Sequence, residues 1–70
     1  MRPTISQAFG KRVRALRVEA GLSQEKLAEK AGMHPTYLSD IERGQRNPTL
    51  EVISRLAKAL GVRIRELFPD

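Results

Sequence analysis

No cysteine occurs in the 70 residues, which excludes disulfides, thiolate metal sites and thiol nucleophiles together and leaves a small core to be stabilised by packing or by association. No run approaches the roughly 18 consecutive apolar residues that a membrane span needs, so no membrane partner is expected. The opening Met1-Arg2-Pro3-Thr4 lacks the apolar stretch of a signal peptide, and the cytoplasm is the expected compartment. One histidine, His34, has no cluster of donors near it in the chain and cannot make a metal site alone, and no histidine and acid are spaced to activate Ser23 as a nucleophile. The chain is less than half of a domain allotment of about 150 residues, so residues 1–70 read as one domain without room for a catalytic lobe beside a binding lobe. Neither an enzyme nor a bound cofactor or small-molecule ligand is expected.

Thirteen Lys and Arg against eight Asp and Glu give a net charge of +5 and a pI near 10.5, a balance that favours a polyanionic partner. Charged residues at 30% and hydrophobic residues at 40% are ordinary globular usage, so the chain folds rather than forming a basic tail. The basic excess lies toward the two ends. Gly21, Gly32, Pro35, Gly44, Pro48, Gly61 and Pro69 cut the chain into segments of helical character, with no low complexity and no internal repeat.

Thr4-Ile5-Ser6-Gln7 forms a capping box for a first helix that runs to about Ala20, with Phe9, Val13, Leu16 and Ala20 on one face and Gly21 as its stop. Ser23 caps a second helix of about two turns, Gln24 to Ala31, with Leu27, Ala28 and Ala31 inward and Gly32 at its end. Pro35 suits the first position of a third helix, where the missing amide has no acceptor to lose, and Met33, Leu38 and Ile41 read as core. After an exposed loop from Arg43 to Pro48, Thr49 caps a helix with Leu50, Ile53, Leu56, Ala57 and Leu60 on one stripe, ended by Gly61. Val62 to Phe68 makes one further short helical turn, stopped by Pro69. Val62, Ile64, Leu67 and Phe68 exceed what so small a core needs, and some of them are expected to form a twofold interface with a second copy.

The informative segment is about 23–42, two short helices joined by a tight turn. Ala28 is small where the helix backbones approach, Gly32 reverses the chain, and Leu27, Leu38 and Ile41 fill the angle between the helices, leaving the outer face of the third helix to enter a groove. Across Arg17-Val18-Glu19-Ala20-Gly21-Leu22-Ser23-Gln24, Tyr37-Leu38-Ser39-Asp40-Ile41-Glu42-Arg43-Gly44 and Leu56-Ala57-Lys58-Ala59-Leu60-Gly61-Val62, the sequence resembles helix-turn-helix regulators of the Cro and phage-repressor (XRE) type, including the small controller proteins of restriction-modification systems. The resemblance covers nearly the whole chain.

It implies an all-α, compact, five-helix, lambda-repressor-like domain that binds double-stranded DNA as a homodimer on a palindromic operator, with its third helix in the major groove. By position, Gln24 is implied to touch phosphate, Pro35, Thr36, Tyr37, Ser39 and Asp40 to face base edges and flanking phosphates, and Arg43, Gln45, Arg46 and Asn47 to face the backbone, with Arg46 also within reach of a guanine. Pro35 departs from the Gln or Arg common at that position and has no side-chain donor, which shifts readout to Thr36, Ser39 and Asp40. A carboxylate at Asp40 repels phosphate and suits a cytosine amino group or the orientation of an arginine. Arg17 and Glu42 match the pair that in such proteins braces the first helix against the end of the third. Arg12 and Arg14 are basic residues of the first helix for which a solvated face and a phosphate contact are equally open. The rival reading is a protein-interaction module, such as an antitoxin or bridging factor, on the same fold. The small polar outer face of the third helix weighs against it, because a partner groove favours Leu, Met or Phe.

Overall fold

The computed structural model describes residues 2–68; Pro69, expected as the final stop, lies outside them. Among the described residues four α-helices follow one another, α1 (Ile5–Glu19), α2 (Gln24–Ala31), α3 (Pro35–Glu42) and α4 (Leu50–Leu60), and a single 3-10 turn, Ile64–Leu67, follows α4. Among the described residues there is no fifth α-helix. Four residues are too few to propagate i to i−4 bonds, and the turn closes instead through i to i−3 bonds, Glu66 N to Arg63 O at 2.9 Å and Phe68 N to Arg65 O at 3.3 Å.

Each helix starts on a side-chain acceptor. The Thr4 hydroxyl takes the Gln7 amide at 3.1 Å while Gln7 Oε1 takes the Thr4 amide at 2.9 Å, and Ser23 and Thr49 accept the amides of Lys26 and Val52 at 3.0 and 3.2 Å. His34 supplies the cap of α3, its Nδ1 accepting from Thr36 N at 3.1 Å, with Pro35 in the first turn. At the far end of α2, Gly32 takes φ 69°, and Met33 N reaches back to Ala28 O at 2.9 Å. That closure turns the chain directly into α3 and requires a residue without a side-chain clash at positive φ.

Phe9, Val13 and Leu16 of α1, Leu27, Ala28 and Ala31 of α2, Leu38 and Ile41 of α3, and Ile53, Leu56 and Ala57 of α4 close on one core. The apolar stripes run past it at two places. Ala20, expected on the inner face, follows the last residue of α1 and is exposed where the chain turns away. Leu50 is 85% exposed, because the first turn of α4 projects beyond the elements that bury Ile53. Met33 packs half-buried against the core from the turn rather than inside it.

The C-terminal turn belongs to the core more than to the surface. Leu67 is fully buried and the Phe68 ring lies 5.1 Å from that of Phe9 at 44°. Leu67, one of the four residues from which a twofold interface was expected to draw, is therefore not available to a second subunit; it closes the space beneath α1 and α4, which Gly61 and the Val62-Arg63 link bring it over. Ile64, at 48% exposure, is the apolar side chain of the turn that faces outward.

Candidate nucleic-acid interface

The sequence of α3 divides cleanly by face. Leu38, Ile41 and Glu42 are buried, Thr36 is exposed, and Pro35, Tyr37, Ser39 and Asp40 are half-buried. Small polar side chains thus occupy the outer surface of a helix whose inner side chains have little freedom to move.

Three close contacts fix that helix to α1. A Cβ on Gly10 would fall on the carbonyl oxygen of Ile41 and within 2.8 Å of that of Glu42, so the backbones of α1 and α3 touch where only glycine fits. Beside it, Arg17 Nε donates to Glu42 Oε2 at 2.7 Å and Nη2 to Oε1 at 3.1 Å, while Nη1 donates to the Leu22 carbonyl at 2.9 Å. Gln24 Nε2 adds a third donor to the Glu42 carboxylate, at 3.0 Å from Oε1. The side chain implied to touch phosphate is thereby already bonded inside the molecule, at the N-terminus of α2.

The loop after α3 is held from beneath. Gly44, at φ 76°, packs on the first turn of α1, where a Cβ would come within 2.7 Å of Gln7 Cα. Asn47 Oδ1 accepts from the Ser6 hydroxyl at 2.6 Å, which ties Asn47 to α1 and leaves Arg43, Gln45 and Arg46 exposed along the loop.

Arginines and acid on this surface are interlocked. Arg43 Nη2 donates to Asp40 Oδ1 at 2.6 Å and Nη1 to Ser39 Oγ at 2.7 Å. Arg46 Nε donates to Asp40 Oδ2 at 3.3 Å, and its guanidinium carbon stands 5.2 Å from the centre of the Tyr37 ring, within cation–π range. Gln45 Oε1 lies 3.4 Å from Arg43 Nη2 at the edge of the same cluster. Tyr37, Ser39, Asp40, Arg43, Gln45 and Arg46, scattered over ten positions of sequence, form one patch.

Arg12 stands elsewhere. Its Nε donates to the Glu66 carbonyl at 2.7 Å, joining α1 to the C-terminal turn. Sequence reasoning also passed over Gly10 and Ser6. A glycine inside a strongly helical segment is itself a signal of close approach, whereas nothing local to Ser6 marks its distant partner. Among the described residues no three His, Asp or Glu side chains cluster to hold a metal ion, and no helix is long and apolar enough to cross a membrane.

Residues 13–67 match the family model described as helix-turn-helix. The chain is similar to control protein C.BamHI of Bacillus amyloliquefaciens, with 47% identity over 69 residues that cover 97% of this chain and 85% of that one. It is also similar to the immunity repressor protein of Bacillus phage phi105, with 46% identity over 87% of this chain and 42% of that protein. Its fold is similar to that of the restriction-modification controller protein C.AhdI from Aeromonas hydrophila, at a TM-score of 0.89 and 49% identity over 90% of this chain and 96% of that one.

Proposed function

The chain belongs to the helix-turn-helix family, and from that premise we propose that it is a sequence-specific transcriptional regulator that lays α3 in the major groove of double-stranded DNA and binds a palindromic operator as a homodimer. One observation carries the reading: α3 is immobilised by its buried face and by the Gly10 and Arg17 contacts, while its outer face presents Thr36, Ser39, Asp40 and the arginines that follow. Such a ridge has the width and polarity of a groove reader. It lacks the Leu, Met or Phe that would suit a protein partner. The protein acts as one domain by occupancy, in the cytoplasm and without chemistry of its own.

Thr36 and Ser39 read base edges, with Pro35 and Tyr37 shaping the approach. Arg43, Gln45 and Arg46 meet the backbone, and Arg46 is also in reach of a guanine. The first-turn amides of α2, opened by Gln24, point positive charge at a phosphate. The second copy joins through the outward Ile64 with Val62 and the exposed edge of Phe68. Selection of bound sequences from a random duplex pool tests the reading: it yields a palindrome with half-site centres about one helical turn apart, and absence of any enriched sequence refutes it.

A further inference from the structure

The outer face of α3 and its following loop carry Arg43, Arg46 and Asp40, since Glu42 is buried and paired with Arg17. Generic affinity for a duplex comes from cations laid along phosphates, and Asp40 offsets one of the two on this face. Geometry shows where the charge of the arginines goes. Each oxygen of Asp40 takes one of them, Oδ1 from Arg43 at 2.6 Å and Oδ2 from Arg46 at 3.3 Å. Each guanidinium has a second anchor, Ser39 Oγ for Arg43 and the Tyr37 ring for Arg46. The carboxylate is 19% exposed and the arginine side chains 56% and 53%, so the arginines stand between Asp40 and solvent.

We propose that Asp40 is the positioning residue that sets sequence discrimination: it meets no base, orients Arg43 and Arg46 as one pair, and offsets enough of their charge to keep attraction to arbitrary phosphate low. The inference rests on the reading of α3 as the DNA-facing helix. Arg46 already oriented loses less freedom on meeting a guanine edge, which demands a fixed fork geometry, and Arg43 already oriented loses less on meeting its one operator phosphate. A phosphate met at random demands no such geometry and only feels the reduced charge. Direct acceptance from a cytosine amino group is the other chemistry open to a carboxylate here, and it predicts a different pattern of paired substitutions.

Asp40→Asn keeps the side-chain shape and removes the charge. With an operator recovered by selection with the unmodified chain, affinity for that operator and for an unrelated duplex is measured across a salt series. The variant binds the unrelated duplex more tightly, with a slope of log affinity against log salt steeper by about 0.9 for each arginine released to a phosphate. The ratio of operator to unrelated affinity falls about tenfold, the scale of one lost oriented base contact. In an Arg43→Gln, Arg46→Gln background the same substitution changes the ratio less than about twofold, because groups in one network are not additive. An unchanged ratio for Asp40→Asn overturns the proposal alone. So does a loss of discrimination at one C·G position that persists in full in the double background, since Asp40 would then read a base. Failure of the unmodified chain to select any sequence removes the reading of α3 and the proposal with it.

Discussion

Arg17 and Glu42 form a two-pronged ion pair between the last turn of α1 and the end of α3, at 2.7 and 3.1 Å, with side chains only 12% and 3% exposed. Glu42 accepts from Gln24 as well, and Arg17 donates to the Leu22 carbonyl, so no buried side-chain polar atom among the described residues is left unpaired. One carboxylate thus joins α1, α2 and α3, and its arginine adds the α1–α2 turn. Angle and depth of α3 depend on it.

Glu42→Ala therefore costs folding stability first, on the order of 3–5 kcal/mol, because it strands a buried guanidinium. For a domain of this size that lowers Tm by more than about 10 °C, measured by thermal circular dichroism. Normal melting combined with lost DNA binding would instead place Glu42 at the interface.

Gly10→Ala ought to help a helix on propensity alone, by up to about 1 kcal/mol. In this fold it destabilises, by about 1–3 kcal/mol, since the new methyl meets two backbone carbonyls that cannot rotate away. Denaturant unfolding of the variant decides the sign.

Arg12 and Arg43 separate in a salt titration of DNA affinity. On the selected operator, removing Arg43 reduces the slope of log affinity against log salt by about 0.9. Arg12→Ala leaves the slope as it is and lowers stability by about 1 kcal/mol, the usual worth of a hydrogen bond like the one it makes to the Glu66 carbonyl. Equal slopes for both variants would contradict the assignment of Arg43 to the backbone.

Ile64 and Leu67 lie in the same turn and have opposite roles. Ile64→Asp shifts the sedimenting species from dimer to monomer at micromolar concentration while leaving the helical spectrum intact. Leu67→Ala instead lowers stability by about 2–5 kcal/mol, as expected for a fully buried leucine. Sedimentation of the unmodified chain as monomer even at high micromolar concentration would remove the proposed interface.

Helix starts, helix ends and the helix-turn-helix were all legible in the chain, because each depends on residues no more than a turn or two apart: Thr4 with Gln7, Ser23 with Lys26, Gly32 with Ala28. The inner faces of Leu27, Leu38 and Leu56 followed from periodicity for the same reason. Tertiary structure alone decided which apolar residues lie beyond the core, as Leu50 does, and which close it, as Leu67 does, since burial depends on what the fold brings opposite a side chain. It decided, too, that Arg12 ties two elements together and that Ser6 holds Asn47, partners 54 and 41 residues apart. The pairing of Asp40 with both Arg43 and Arg46 lies between these cases: the three charges are neighbours in sequence, but only the turn at Gly44, seated on Gln7, folds Arg46 back over Tyr37 to complete the cluster.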